Sequence, residues 1–256
     1  MKCVILAGGR GTRISEESHL RPKPMVEIGD RPILWHIMKI YSHYGINDFI
    51  ICLGYKGYVI KEYFANYVLH AGDVTVDVAN HRIDYHGNFA EPWRITLVDT
   101  GIDTMTGGRL RRIRHHLENE DAFCLTYGDG VGDVDIAAQI DFHRRHGLQG
   151  TMTVVRPSPR FGTVSLEGDR IVEFREKLTN EGFINGGFFV LSPKVIDLVD
   201  GDDTPFEREP LNRLVAKEQL AAWRHDGFWQ PMDTLREKEQ LEALWKSGQA
   251  EWKIWQ

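Results

Sequence analysis

Lys2-Cys3-Val4-Ile5-Leu6-Ala7, running straight into Gly8-Gly9-Arg10-Gly11-Thr12-Arg13, decides how this chain is read. An apolar run of strand length ends in three glycines within four positions. A loop without Cβ atoms bends freely and lets a ligand approach the backbone closely. Its N–H groups can then line one concavity and bind an anion. Arg13 adds a fixed charge with a forked donor set suited to phosphate oxygens. The stretch is either a triphosphate-holding turn or a bare strand-to-helix turn. Two familiar phosphate loops are excluded, because Gly11 is followed by Thr12-Arg13 where a P-loop has Lys-Ser/Thr, and position 14 is Ile where the dinucleotide fingerprint has its third glycine.

Downstream, Pro22-Lys23-Pro24-Met25 places a lysine between two prolines. Proline disfavours helix both at and before its own position, so an extended, stiff, non-helical segment presenting Lys23 is expected. Ile33, Leu34, Ile37, Met38, Tyr41 and Tyr44 give the next segment one apolar helical face. Phe49 to Leu53 reads as a second strand and Lys56 to Tyr67 as a helix. Alternating strands and helices indicate a mainly parallel sheet with crossover helices. Strands are also expected at 95–99, 122–127 and 151–155, and a helix at 135–146. The region 72–93 reads as a polar surface excursion, since the spacing of His81, Asp84 and His86 fits no standard metal site. Gly107-Gly108-Arg109, at a helix start, repeats the anion-binding logic of the first loop.

Asp129, between Gly128 and Gly130, falls at the carboxyl end of a strand, where open α/β sheets bind ligands. It is either a turn aspartate or a carboxylate for Mg²⁺, which takes oxygen ligands alongside phosphates. From residue 156 the pattern changes to a hairpin over 161–174 and a strand, Ile184 to Leu191, whose paired glycines leave room for a ligand. Helices at about 207–217 and 235–248 and a tryptophan-bearing tail complete the chain. Trp245, Trp252 and Trp255 suit packing or subunit contact rather than a cofactor box.

The 256 residues, 42% hydrophobic and 27% charged, suit a single α/β domain, read as a first half over 1–150, a substrate-binding half over 151–235, and a terminal helix and tail over 236–256. A net charge of −6 argues against a nucleic-acid binder. Cys3, Cys52 and Cys124 lie in separate apolar runs, as reduced buried thiols do. No signal pattern and no run of about 18 apolar residues is present, so a cytoplasmic, non-membrane protein is expected.

Taken together, Leu6 to Arg13, Pro22 to Met25, Gly128 to Gly130, Glu176-Lys177, Asn185 to Gly187 and Asp233 resemble the sugar-1-phosphate nucleotidyltransferases from end to end. Four longer stretches, Pro32 to Met38, Gly54 to Phe64, Met105 to Leu110 and Phe228 to Thr234, look like the branch that converts CTP and glucose 1-phosphate to CDP-glucose and pyrophosphate. Arg10, Ile14 and Leu178 depart from the usual pattern, and Leu178 bears on how firmly Lys177 is held. The resemblance implies a Rossmann-like, mixed but mainly parallel sheet with a small β-rich sugar-binding portion. It implies Arg13, Lys23 and Asp129 as catalytic residues. Leu6, Ala7, Gly8, Gly9, Arg10, Gly11, Thr12, Arg13, Lys23, Thr104, Arg109 and Gly128 would bind the nucleotide, with Leu6, Ala7 and the 104–109 stretch forming the base pocket. Gly162, Glu176, Lys177 and Asn185 would bind the sugar phosphate, and Asp129 and Asp233 would hold Mg²⁺. It further implies a homo-oligomer supplying deoxysugars for a surface polysaccharide such as O-antigen. A uridylyl- or thymidylyltransferase, or a catalytically silent nucleotide-sugar sensor, are the alternatives.

Overall fold

The computed structural model describes residues 1–11, 21–87, 90–156 and 182–255, with the backbone alone over 163–167 and 170–175. Thr12, Arg13, Gly162, Glu176, Lys177 and Leu178 lie outside the described residues.

A seven-stranded sheet forms the centre. Its strands, in chain order, are β1 (Cys3–Leu6), β2 (Asp48–Leu53), β3 (Arg94–Asp99), β4 (Phe123–Tyr127), β5 (Gly150–Val155), β6 (Ile184–Leu191) and β7 (Leu220–His225). Across the sheet they run β7-β5-β6-β4-β1-β2-β3. β1 pairs in parallel with β2 and β4, β2 with β3, and β5 with β7. Only β6 is reversed, antiparallel to both β4 and β5. The carboxyl ends of the parallel strands and the start of β6 therefore share one edge. That edge carries Leu6, Tyr127 and Asn185.

The central strand is buried on both faces, as a sheet covered on two sides requires. Cys3 and Ile5 enter one apolar cluster, while Val4 and Leu6 enter the other. The first cluster is closed by helix α1 (Ile33–His43). Helices α2 (Gly57–Ala65) and α3 (Tyr67–Ala71) replace the single helix expected over 56–67, with the break at Asn66. The second cluster is covered by α4 (Thr106–Arg112) and its neighbours. Helices α5 (Ile136–His146), α6 (Glu209–Ala216) and α7 (Leu235–Lys246) complete the set. The N-cap of α7 is a capping box, Thr234 with Glu237.

One further local expectation changes. Lys23–Met25 forms one turn of 3₁₀ helix, with Met25 N–H donating to Pro22 O (2.8 Å), instead of an extended segment. Proline is tolerated in a first turn because the missing N–H has no helical partner there. The 72–93 excursion contains an antiparallel hairpin, Asp73–Asp77 with Arg82–His86. The tail does not stand out from the surface: Trp252 is fully buried and Trp255 nearly so, packed around His36 of α1. The expected hairpin of the sugar-binding half is formed by Thr163–Glu167 and Arg170–Arg175. Cys3, Cys52 and Cys124 are free and buried in the sheet, and burial pushes the thiols of Cys52 and Cys124 up to about 12.

His36 is the unexpected core residue. One ring nitrogen faces Ile28 O at 2.8 Å, and the other accepts from the Trp252 indole at 3.4 Å. Burial holds its pKa down at about 4, from an ordinary 6.5. The unfolded imidazole takes up a proton below about pH 6.5 and the folded one does not until about pH 4. Stability is therefore full above that window and falls as pH drops through it, by about 3 kcal/mol for this group. The His36 ring resonances in a pH titration by NMR are expected to stay in the neutral position down to about pH 4, while urea midpoints fall below pH 6.5.

Candidate active site

A cavity of about 1170 Å³ opens at the shared sheet edge. Its lining gathers Leu6, Ala7, Gly8, Gly9, Gly11, Lys23, Thr104, Arg109, Gly128, Asp129, Asn185 and Asp233. These come from distant parts of the chain, and the topology explains their convergence. Asp129 follows β4 directly. Trp229–Pro231 pairs antiparallel with Gly130–Gly132, and Met232 N–H donates to Asp129 O (2.8 Å). Asp233 is thereby delivered beside Asp129.

Between these carboxylates sits Lys23. Its ammonium donates to Asp129 Oδ2 and to Asp233 Oδ1, each at 2.6 Å. The side chain is only 10% exposed. A buried ammonium needs such partners, because an unpaired charge away from water is expensive. The two carboxylate oxygens lie no further apart than those two bonds allow, so they can converge on one cation. Among the described residues no group of three or more His, Cys, Asp or Glu side chains is placed to hold a metal. A divalent cation held by these two carboxylates would draw its remaining ligands from water and substrate oxygens, as Mg²⁺ does at phosphate sites.

The glycine loop owes part of its composition to packing rather than to ligand approach. A Cβ on Gly8 would collide with the Arg109 guanidinium, and one on Gly54 would lie 2.6 Å from both that guanidinium and Gly8 O. Arg109 was expected to touch nucleotide. It is 4% exposed, and its guanidinium donates to Leu53 O (2.8 Å), Thr100 Oγ1 (2.7 Å), Gly101 O (2.9 Å) and Gly8 O (3.0 Å). It ties the loops after β1, β2 and β3 together beneath the cavity. Arg10 pairs with Asp103 at 2.7 Å on the outside and does not line the cavity.

The anion-binding reading of Gly107-Gly108 does not survive. Gly107 N–H donates to Thr204 O (3.0 Å), and a Cβ on either glycine would lie within about 2.6 Å of the backbone of Asp202 or Thr204. These glycines let α4 dock on the 200–206 loop, whose carbonyls already take its first N–H groups.

Sequence reasoning missed a polar chain along one wall. Asn185 Nδ2 donates to Tyr127 Oη (3.2 Å), Tyr127 Oη donates to Glu207 Oε1 (2.8 Å), and Thr106 Oγ1 donates to Glu207 Oε2 (2.6 Å). Burial, reinforced by the Glu207 charge, pushes the Tyr127 phenol far above its ordinary range, so it stays a donor. The position of Tyr127 before Gly128 was a usable signal for its place at the strand end. Glu207 gave none, because its segment returns to the site only in three dimensions.

A mixed sheet with one reversed strand, a glycine loop after β1 and a lysine between two strand-end carboxylates define a nucleotidyltransferase-type site. The chain belongs to the nucleotidyl transferase family, whose sequence pattern matches residues 2–234. It is 58% identical to the glucose-1-phosphate cytidylyltransferase of Salmonella typhi over 257 residues, covering 100% of both chains. In fold it is similar to HddC from Yersinia pseudotuberculosis, with a TM-score of 0.69, 22% identity, and coverage of 95% of this chain and 99% of that one. A UDP-glucose pyrophosphorylase solved with UDP-glucose superposes with a TM-score of 0.67 at 14% identity, covering 96% and 98% of the two chains.

Arg109→Met is expected to destabilise the fold by about 1.5–3 kcal/mol, since it removes buried hydrogen bonds from a charged donor that ties three loops together. Urea denaturation measures this. A purely nucleotide-contacting arginine would leave the midpoint unchanged and alter only ligand affinity.

Proposed function

We propose that this protein transfers the cytidylyl group of CTP to α-D-glucose 1-phosphate, giving CDP-glucose and pyrophosphate. The observation that carries the reading is Lys23 held at 2.6 Å from both Asp129 and Asp233 within the cavity at the sheet edge, in a chain 58% identical along its full length to a glucose-1-phosphate cytidylyltransferase.

The sugar phosphate is the nucleophile and the α-phosphorus is the target. A phosphate monoester has a second pKa of about 6, so its oxygen is already anionic near neutral pH and no general base is needed. The work of the site is positioning and charge stabilisation. Gly8, Gly9 and Gly11 line the cavity where a triphosphate would lie, and the resemblance assigns Thr12 and Arg13 to the same triphosphate. Leu6, Ala7 and Thr104 are lining residues assigned to the nucleoside, and Asn185, with Gly162, Glu176 and Lys177, is assigned to the sugar phosphate. Asp129 and Asp233 are the residues that would hold Mg²⁺. When bound, the ion would neutralise developing charge on the phosphates.

Lys23 occupies the place between the two carboxylates. Were Asp129 and Asp233 to hold a dication, they would have less charge to share with Lys23, and its ammonium would be available to phosphate oxygens. Lys23 therefore serves twice, as counter-ion in the free protein and as phosphate ligand in the working one.

Two finer readings accompany this one. Val76, Val78, Ile83 and Tyr85 expose apolar surface on or beside the Asp73–Asp77 hairpin, which supports a homo-oligomer; light scattering at the mass of one chain would end that reading. Supply of CDP-glucose to deoxysugar and surface-polysaccharide synthesis in the cytoplasm follows from the resemblance alone. Its test is whether the surface glycan changes when the protein is removed.

The assay that tests the reaction is pyrophosphate release from CTP, UTP and dTTP with glucose 1-phosphate. CTP is expected to be preferred. Failure to release pyrophosphate from CTP, or preference for another nucleotide, overturns the reading. Lys23→Met is expected to lower kcat by at least about 10²-fold while tightening Mn²⁺ binding to the nucleotide-free protein, read by electron paramagnetic resonance. Unchanged Mn²⁺ affinity would show that the lysine does not compete for the carboxylates.

A further inference from the structure

Glu207 is an acidic side chain that lines the cavity without a part in the scheme above; Glu237, the other, belongs to the capping box of α7. A carboxylate is out of place against phosphate, which it repels, so its position calls for a partner that donates hydrogen bonds. It belongs to a segment fastened to the start of α4: Met105 N–H donates to Asp202 O (2.7 Å), and Phe206 N–H to Thr106 Oγ1 (2.8 Å). Thr104, Met105, Thr106, Pro205 and Glu207 thus form one continuous stretch of cavity wall. That stretch includes the residues to which the sequence assigned the base.

Two of the polar side chains beside it are already committed. Thr106 donates to Glu207 and accepts from Phe206 N–H, and Arg109 is spent on the acceptors beneath the loops. Glu207 is fixed by Tyr127 on one oxygen and Thr106 on the other. An ionised carboxylate only accepts, and each oxygen has a second lone pair. These two donors orient it without exhausting it.

Cytosine and uracil differ along their pairing edge: at ring position 4 cytosine bears an amino donor and uracil a carbonyl acceptor, and at N3 cytosine accepts where uracil donates. Carboxylates accept from that cytosine amino group in nucleic-acid recognition for the same reason. We propose that Glu207, held by Tyr127 and Thr106, selects CTP by accepting a hydrogen bond from the 4-amino group of the cytosine. Uracil and thymine would set their O4 against the carboxylate, two acceptors with no proton between them. This rests on the CTP-dependent reaction proposed above.

The test is Glu207→Gln, which keeps the shape and offers an amide donor as well as an acceptor. Wild type and variant are compared for kcat/KM with CTP and UTP, for the KM of glucose 1-phosphate, and for the rise in melting temperature given by each nucleotide alone. The last readout holds even if the variant turns over slowly. The expected result is a fall of about tenfold or more in the CTP:UTP preference, in turnover or in thermal stabilisation, with the glucose 1-phosphate KM within about twofold. An unchanged preference with both nucleotides weakened alike makes Glu207 structural and overturns the proposal. A change confined to the glucose 1-phosphate KM overturns it in favour of sugar-hydroxyl recognition. A wild-type enzyme that does not prefer CTP overturns the reaction itself, before any variant is made.

Discussion

The active site is organised by one ammonium group shared between two carboxylates. Asp129 and Asp233 reach the same point by different routes, one at the end of β4 and the other through the short strand that pairs with Gly130–Gly132. Two carboxylates pressed together without a cation would repel each other and raise each other's pKa. Lys23 removes that penalty in the free protein. It also explains why a turn of 3₁₀ helix, rather than a loose loop, carries the lysine: the ammonium must be delivered to a fixed point, and Pro22 and Pro24 restrict the backbone that delivers it.

Beneath that point Arg109 performs a similar service for the loops. Its guanidinium takes the carbonyls of Gly8, Leu53 and Gly101 and the hydroxyl of Thr100, residues at or just past the ends of three neighbouring strands. Gly8 O and Leu53 O also accept from Tyr55 and Thr100, so the guanidinium adds a second tie to them while reaching Gly101 O. The glycines at 8 and 54 are small so that the guanidinium can fit. The site is therefore built in two tiers, with a structural cation below the loop and a functional one above it.

Periodicity and turn chemistry made the strands of the sheet and most helices legible, because each strand is a short buried run bounded by glycine or polar residues. Strand order and the reversal of β6 were not legible, since pairing partners leave no local mark. At the site, the positions of Lys23 beside prolines and of Asp129 past a strand end were readable. Asn185 and Asp233 came from resemblance, and the position of Asp233 is explained only by the pairing of 229–231 with 130–132. Gly107 misled for a physical reason. A Gly-Gly-Arg helix start looks the same in sequence whether its N–H groups meet a phosphate or the carbonyl of Thr204. Glu207 and His36 were invisible because their roles exist only once remote segments fold back onto them.

The burial of the tail has a consequence for synthesis. Trp252 and His36 are 216 residues apart in the chain yet share a hydrogen bond in the core. Strands β1 and β2 and helix α1 are made early, but the apolar cluster they belong to includes Trp252 and Trp255. Chains emerge from the ribosome N-terminus first, at about 5–20 residues per second, so this cluster stays open for most of translation. A nascent chain stalled before residue 252 exposes the face of α1 around His36. A protein that closes its first core last needs either a quick finish or a chaperone while it waits.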